Sequence, residues 1–167
     1  MNHQTTFVYD KTIKNPAVKS ILNIGFRYDS DTSILSYALS NGKTFTALEV
    51  YAPNVDSMRK FGIDCVLMDV RDIQRLERNY DAIVWLHGPE HITWEDFLAC
   101  REKIEAKSNV ITLYQAPIGE CPQEDIYGNP YERHVQTLCP KMFEELGYNI
   151  FDHSPFNEKT FSAWVEK

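Results

Sequence analysis

Short apolar runs alternate along the chain with stretches whose apolar residues recur at helical spacing. Ser20 to Gly25 (SILNIG) is an apolar run that ends in glycine and predicts a buried strand. Thr44 to Val50 (TFTALEV), Ile63 to Asp69 (IDCVLMD), Asp81 to Leu86 (DAIVWL) and Asn109 to Gln115 (NVITLYQ) repeat the signal. Helices are predicted between them. Asp29, Ser30 and Asp31 offer N-caps for one over Thr32 to Ser40, which Asn41-Gly42 stops. Pro53 suits the first position of a second, which ends at Gly62. A short charged helix is expected near Asp72 to Arg78. A longer one from Ile92 to Lys107 brings Trp94, Phe97, Leu98 and Ile104 to one face, following a period of about 3.6 residues.

Near-continuous apolar strands alternating with helices specify a mostly parallel sheet covered on both faces. Right-handed crossovers put every strand's carboxyl end on one edge, where such sheets bind ligands beside the reversal of strand order. The C-terminal part breaks the rhythm. Residues 116–136 form a long polar loop rich in Pro and Gly, and Pro140 to Gly147 is a short helix. Tyr148 to His153 and Thr160 to Glu166 are two further strands. The linker Ser154 to Lys159 is too short for a parallel crossover, so the two should form an antiparallel hairpin. The expected fold is therefore α/β, a three-layer αβα sandwich on a mostly parallel seven-stranded sheet. Residues 1–18 read as a lead-in segment.

Composition narrows the function classes. The 167 residues suit a single domain. A formal charge of −7 argues against a phosphate-binding groove for nucleic acid, and the Arg and Lys residues are interleaved with acids. No apolar run approaches the ~20 residues of a membrane span. The N-terminus lacks the basic-then-apolar order of a secretory signal, so a cytoplasmic protein is expected. Cys65, Cys100, Cys121 and Cys139 form no CxxC pair and are expected as free thiols.

Chemistry concentrates at the strand ends. Gly25 allows close backbone approach to a ligand. Glu49 follows it at about the 20-residue spacing of nucleotide-binding βαβ units, and a carboxylate can accept two hydroxyl hydrogen bonds. His87, Glu90 and His91 spell H-x-x-E-H, the inverted zinc-peptidase pattern, but Gly88-Pro89 interrupts the continuous helix that pattern needs. A zinc-dependent hydrolase built on these three is a remote reading. His91 and His134 are candidate general bases, and Tyr127 and Tyr131 candidate substrate contacts in the long loop. Trp85, within an apolar strand, reads as core.

The order of elements resembles that of the class I S-adenosylmethionine-dependent methyltransferases over nearly the whole chain. ILNIGFRYDSDT (residues 21–32) stands in place of that family's glycine-rich first motif with Gly25 alone retained, and YDAIVWLHGPEHITWEDF (residues 80–97) looks like its fourth-strand motif. The run QEDIYGNPYERH (residues 123–134) is similar to a bacterial subgroup. The resemblance implies S-adenosylmethionine as methyl donor, bound by Gly25, Glu49 at the ribose, Asp69 and Val70 at the adenine, and Leu86. Glu90, Tyr127 and Tyr131 would face the substrate, His91 and His134 the proton to be removed, with no metal required. The activity implied is methyl transfer to an oxygen or nitrogen of a small metabolite or sugar. The alternative is a catalytically inactive relative that binds a nucleoside-type ligand or a protein partner.

Overall fold

The alternation of strands and helices is present in three dimensions. The computed structural model describes residues 3–26 and 32–167. The elements are α1 (His3–Lys11), β1 (Ser20–Ile24), α2 (Thr32–Ser40), β2 (Thr44–Glu49), α3 (Ala52–Lys60), β3 (Cys65–Leu67), β4 (Tyr80–Leu86), α4 (Trp94–Ala106), β5 (Ser108–Pro117), α5 (Pro140–Glu144), β6 (Asn149–Asp152) and β7 (Thr160–Glu166). The sheet has seven strands in the order β3-β2-β1-β4-β5-β7-β6. β1 to β5 pair in parallel, and β7 runs antiparallel to both β5 and β6. Strand order reverses between β1 and β4, which defines the switch point of the sheet.

Strand side chains alternate between two cores. Leu22, Ile24, Ile83 and Trp85 face one layer with Phe97, Phe143 and Phe161. Ile21, Ala82 and Val84 face the other with Ile34, Val55, Met58 and Val8. Burial on both faces explains why these strands read as continuous apolar runs.

Three expectations change. The lead-in is partly a helix, α1, whose Val8 is fully buried. Glu158, from the turn between β6 and β7, accepts hydrogen bonds from the backbone N–H of His3 (3.1 Å) and Gln4 (3.0 Å), which satisfies two of the orphan donors at the start of α1. Stacking of Phe7 on Phe151 (centroids 4.9 Å) holds the helix to the hairpin. The charged helix is a 3-10 turn, Val70–Arg75, capped by Asp69 rather than started at Asp72. The helix expected from Ile92 begins at Trp94 behind a separate 3-10 turn, Pro89–His91; Ile92 is extended, and the Thr93 side chain caps α4 by accepting from the Asp96 N–H. The predicted caps Asp29, Ser30 and Asp31 lie outside the described residues.

Candidate active site

A cleft of about 730 Å³ runs along the carboxyl ends of β1 to β5. This is the size range of small-molecule and cofactor sites. Gly25, Glu49, Asp69, Val70 and Leu86 all line it, each at or just past a strand end. Gly25 has φ +69°, a left-handed conformation that glycine adopts without strain, and its N–H donates to the Leu48 carbonyl (2.8 Å).

Glu49 is 5 % exposed. Its Oε1 accepts from the Tyr51 N–H at 2.7 Å. Burial nevertheless raises its pKa above the ordinary carboxylate value, and the charge of Glu132 adds to the rise. Asp69 is arranged differently. Its Oδ1 accepts from the Arg71 N–H and Nε, both at 2.9 Å, and its Oδ2 from Nη2 at 2.6 Å. The guanidinium holds the Asp69 carboxyl below its ordinary pKa. Asp69 thus meets the cleft as half of an ion pair.

The turn Pro89–His91 builds the other end. Gly88 precedes it at van der Waals distance from the Trp85 indole: a Cβ on Gly88 would lie 1.7 Å from Nε1. Trp85 is itself core, stacked toward Phe97 and tilted against Tyr114, so the turn is seated on a fixed surface. His87 stands outside the turn with φ +48°, and the H-x-x-E-H residues do not share one continuous helix. The zinc-peptidase geometry is therefore absent. Glu90 is 1 % exposed, with His87 Nδ1 at 3.7 Å and His134 Nε2 at 3.9 Å from Oε1.

Backbone bonds sew the long loop to this turn. The Val135 N–H donates to the Glu90 carbonyl (3.0 Å), and Gln136 Nε2 donates to the carbonyls of Pro89 (2.8 Å) and Ile92 (2.6 Å). His134 is thereby brought to His91, the two rings meeting edge-on with centroids 4.8 Å apart. Tyr131 and Glu132 reach across to the β2 end of the cleft, where the Tyr131 ring lies 6.5 Å from Tyr51. Tyr127 stays outside the cleft and is 90 % exposed. It follows the loop's outer bend rather than its inner face.

Several residues of the site escaped sequence reasoning. Arg71 was visible only as a charge two residues after Asp69. Gln136 carries no motif. Gln4 of α1 lies next to the cleft, its Oε1 accepting from His87 Nε2 (3.2 Å) and its Nε2 donating to Thr160 Oγ1 (2.6 Å). All three act through contacts distant in sequence or through a spacing too common to stand out.

Comparison with solved structures places the architecture. A SAM-dependent methyltransferase from Archaeoglobus fulgidus superposes with a TM-score of 0.67 at 12 % identity, over 99 % of this chain and 100 % of that one. The methyltransferase domain of bacterial CtHen1-CN gives 0.70 at 16 %, over 98 % and 97 %. DhpI, solved in complex with SAH, gives 0.69 at 14 %, over 96 % and 81 %. The chain has the class I SAM-dependent methyltransferase fold. In sequence it matches no protein-family model and no curated protein. Among the described residues no helix is long and apolar enough to cross a membrane.

Proposed function

We propose that the protein transfers a methyl group from S-adenosylmethionine to an oxygen or nitrogen of a small molecule, a metabolite or a sugar. The observation that carries this reading is the convergence of Gly25, Glu49 and Asp69 on one cleft at the switch point, with Glu90, His91 and His134 assembled on the same cleft. The buried Glu49 carboxylate suits the two ribose hydroxyls: the Tyr51 and Val50 N–H groups and Asn54 do not outweigh its desolvation, and a bound diol would return hydrogen bonds that burial removes. Asp69 and Val70 would border the adenine, and Gly25 would let the backbone approach the amino-acid end.

S-adenosylmethionine, held by Gly25, Glu49, Asp69 and Val70, would supply the acceptor with an electrophilic methyl on a sulfonium, with a neutral thioether as leaving group. The chain's own work is to align the two and to handle the acceptor's proton. His91 and His134, paired edge-on beside Glu90, are the groups for that proton, and Tyr131 borders the cleft. Calorimetry tests the reading. S-adenosylmethionine and S-adenosylhomocysteine should each bind one site in the wild type and lose at least tenfold in affinity in Glu49→Ala. No binding of either at 1 mM would overturn it.

A further inference from the structure

We infer that Glu90, His91 and His134 form a binding site for one divalent transition-metal ion at the acceptor end of the cleft. One ligand atom from each residue lies within 4.8 Å of the others. Glu90 is the telling residue. It is 1 % exposed, yet no hydrogen-bond donor among the described residues reaches either carboxylate oxygen. A buried carboxylate without donors is costly, and such groups are paired or bind metal.

The two imidazoles are oriented to supply the missing partner. His134 Nδ1 lies against the Cys121 carbonyl. A carbonyl only accepts, so in the neutral ring Nδ1 carries the hydrogen and Nε2 presents its lone pair. That nitrogen points at Glu90 Oε1, 3.9 Å away, with the ring 11 % exposed. A lone pair facing a carboxylate oxygen in a buried site calls for a positive centre between them. Carbonyl-anchored imidazoles of this kind are the usual form of metal-binding histidine. Ligand atoms about 2.1 Å from a shared ion stand about 3.0–3.4 Å apart, so the 3.9 Å gap would close by about 0.5–0.9 Å on binding.

His91 has the same mismatch. Nδ1 lies 3.2 Å from the Arg133 carbonyl and Nε2 3.1 Å from the His87 carbonyl. A neutral ring has one N–H, so one nitrogen sets a lone pair against a carbonyl; turning toward the ion relieves this. A second cluster, His3, His153 and Glu158, makes the contrast. There Glu158 takes the α1 N–H groups, His153 Nε2 meets Ser162 Oγ at 2.8 Å, and His153 Nδ1 meets His3 Nδ1 at 3.1 Å. That cluster satisfies itself. The Glu90 cluster does not.

Two imidazoles and one carboxylate select zinc, cobalt, manganese or iron(II) over calcium or magnesium. Three protein ligands leave coordination positions facing the cleft for water or an acceptor oxygen. Only that last link, to the acceptor, rests on the methyl-transfer reading: an oxygen bound there would lose its proton more readily, and His91 and His134 would then serve as ligands in place of the direct proton-accepting role they have without the ion.

The test is titration of the full-length, EDTA-stripped protein with CoCl₂, followed by the visible cobalt spectrum and by calorimetry, without cofactor. The expected result is one equivalent bound, displaced by ZnCl₂. Affinity should fall at least about tenfold in Glu90→Gln and in His134→Ala, and stay unchanged in His3→Ala. Circular dichroism and melting curves report folding, and His134, on a loop, keeps the test open if the Glu90 variant does not fold. No binding at 1 mM cobalt, or binding that survives both substitutions, would overturn the site. Because cofactor is absent from the titration, this outcome is independent of S-adenosylhomocysteine binding.

Discussion

Replacing Gly88 by alanine probes the seat of the whole acceptor end. Its φ is −132°, outside the left-handed region that favours glycine, so the substitution chiefly tests space. The added Cβ would fall 1.7 Å from Trp85 Nε1, 2.1 Å from Cδ1 and 2.7 Å from Cε2. The indole cannot step aside cheaply, being 4 % exposed against Phe97 and Tyr114. Forcing a methyl group into such a core costs about 1–3 kcal/mol, which for a chain of this length lowers the melting temperature by about 2–12 °C. The turn that carries Glu90 should shift with it, so cofactor or cobalt affinity should fall in parallel. Differential scanning calorimetry of Gly88→Ala, Trp85→Phe and the double variant gives the decisive comparison. In the Trp85→Phe background the alanine should cost at least about 1 kcal/mol less, because the five-membered ring it strikes is gone. A melting temperature within 1 °C of wild type for Gly88→Ala, or strict additivity in the double variant, would refute the packing argument.

Glu49→Gln should weaken S-adenosylhomocysteine binding at least about tenfold in calorimetry, as expected for loss of hydrogen bonds to a charged group. The same variant should melt no lower than wild type at pH 7. Because burial raises the folded-state pKa of Glu49, ionisation works against folding, and the cost grows as pH rises from the unfolded value through the folded one. The wild type should therefore gain on the variant as pH falls through that window, and an unchanged gap between pH 7 and pH 4.5 would count against it. Gln136→Ala removes two bonds to the Pro89–His91 region. It should cost about 1–3 kcal/mol, or roughly 2–12 °C in melting, and speed proteolysis within residues 118–136. Of the four thiols, Cys121 and Cys139 should react with Ellman's reagent in the native protein. Cys65 and Cys100 are buried, with pKa values pushed up to about 11 and about 12 by desolvation, and should react only on unfolding; rapid native labelling of all four would contradict this.

The amino-acid sequence by itself determined the architecture. Two-sided burial writes itself as apolar runs, and the six-residue linker between the last two strands permits only an antiparallel return, so β1 to β7 were legible without coordinates. It also marked Gly25, Glu49 and Asp69, because strand-end positions in a parallel sheet converge on one edge whatever the loops do. Tertiary structure alone decided what those residues meet. Whether Asp69 faces a ligand alone or with Arg71 depends on how a three-residue span bends, and the local pattern carries no record of that. The approach of His134 to Glu90 and His91 depends on loop closure across more than 40 residues, fixed by backbone bonds and by Gln136, groups with no side-chain signature in sequence. The placing of α1 against the cleft has the same origin: His3 and Gln4 find Glu158 more than 150 positions away. Periodicity reports burial, a local property; the partners of a buried charge are set by the chain's return from elsewhere.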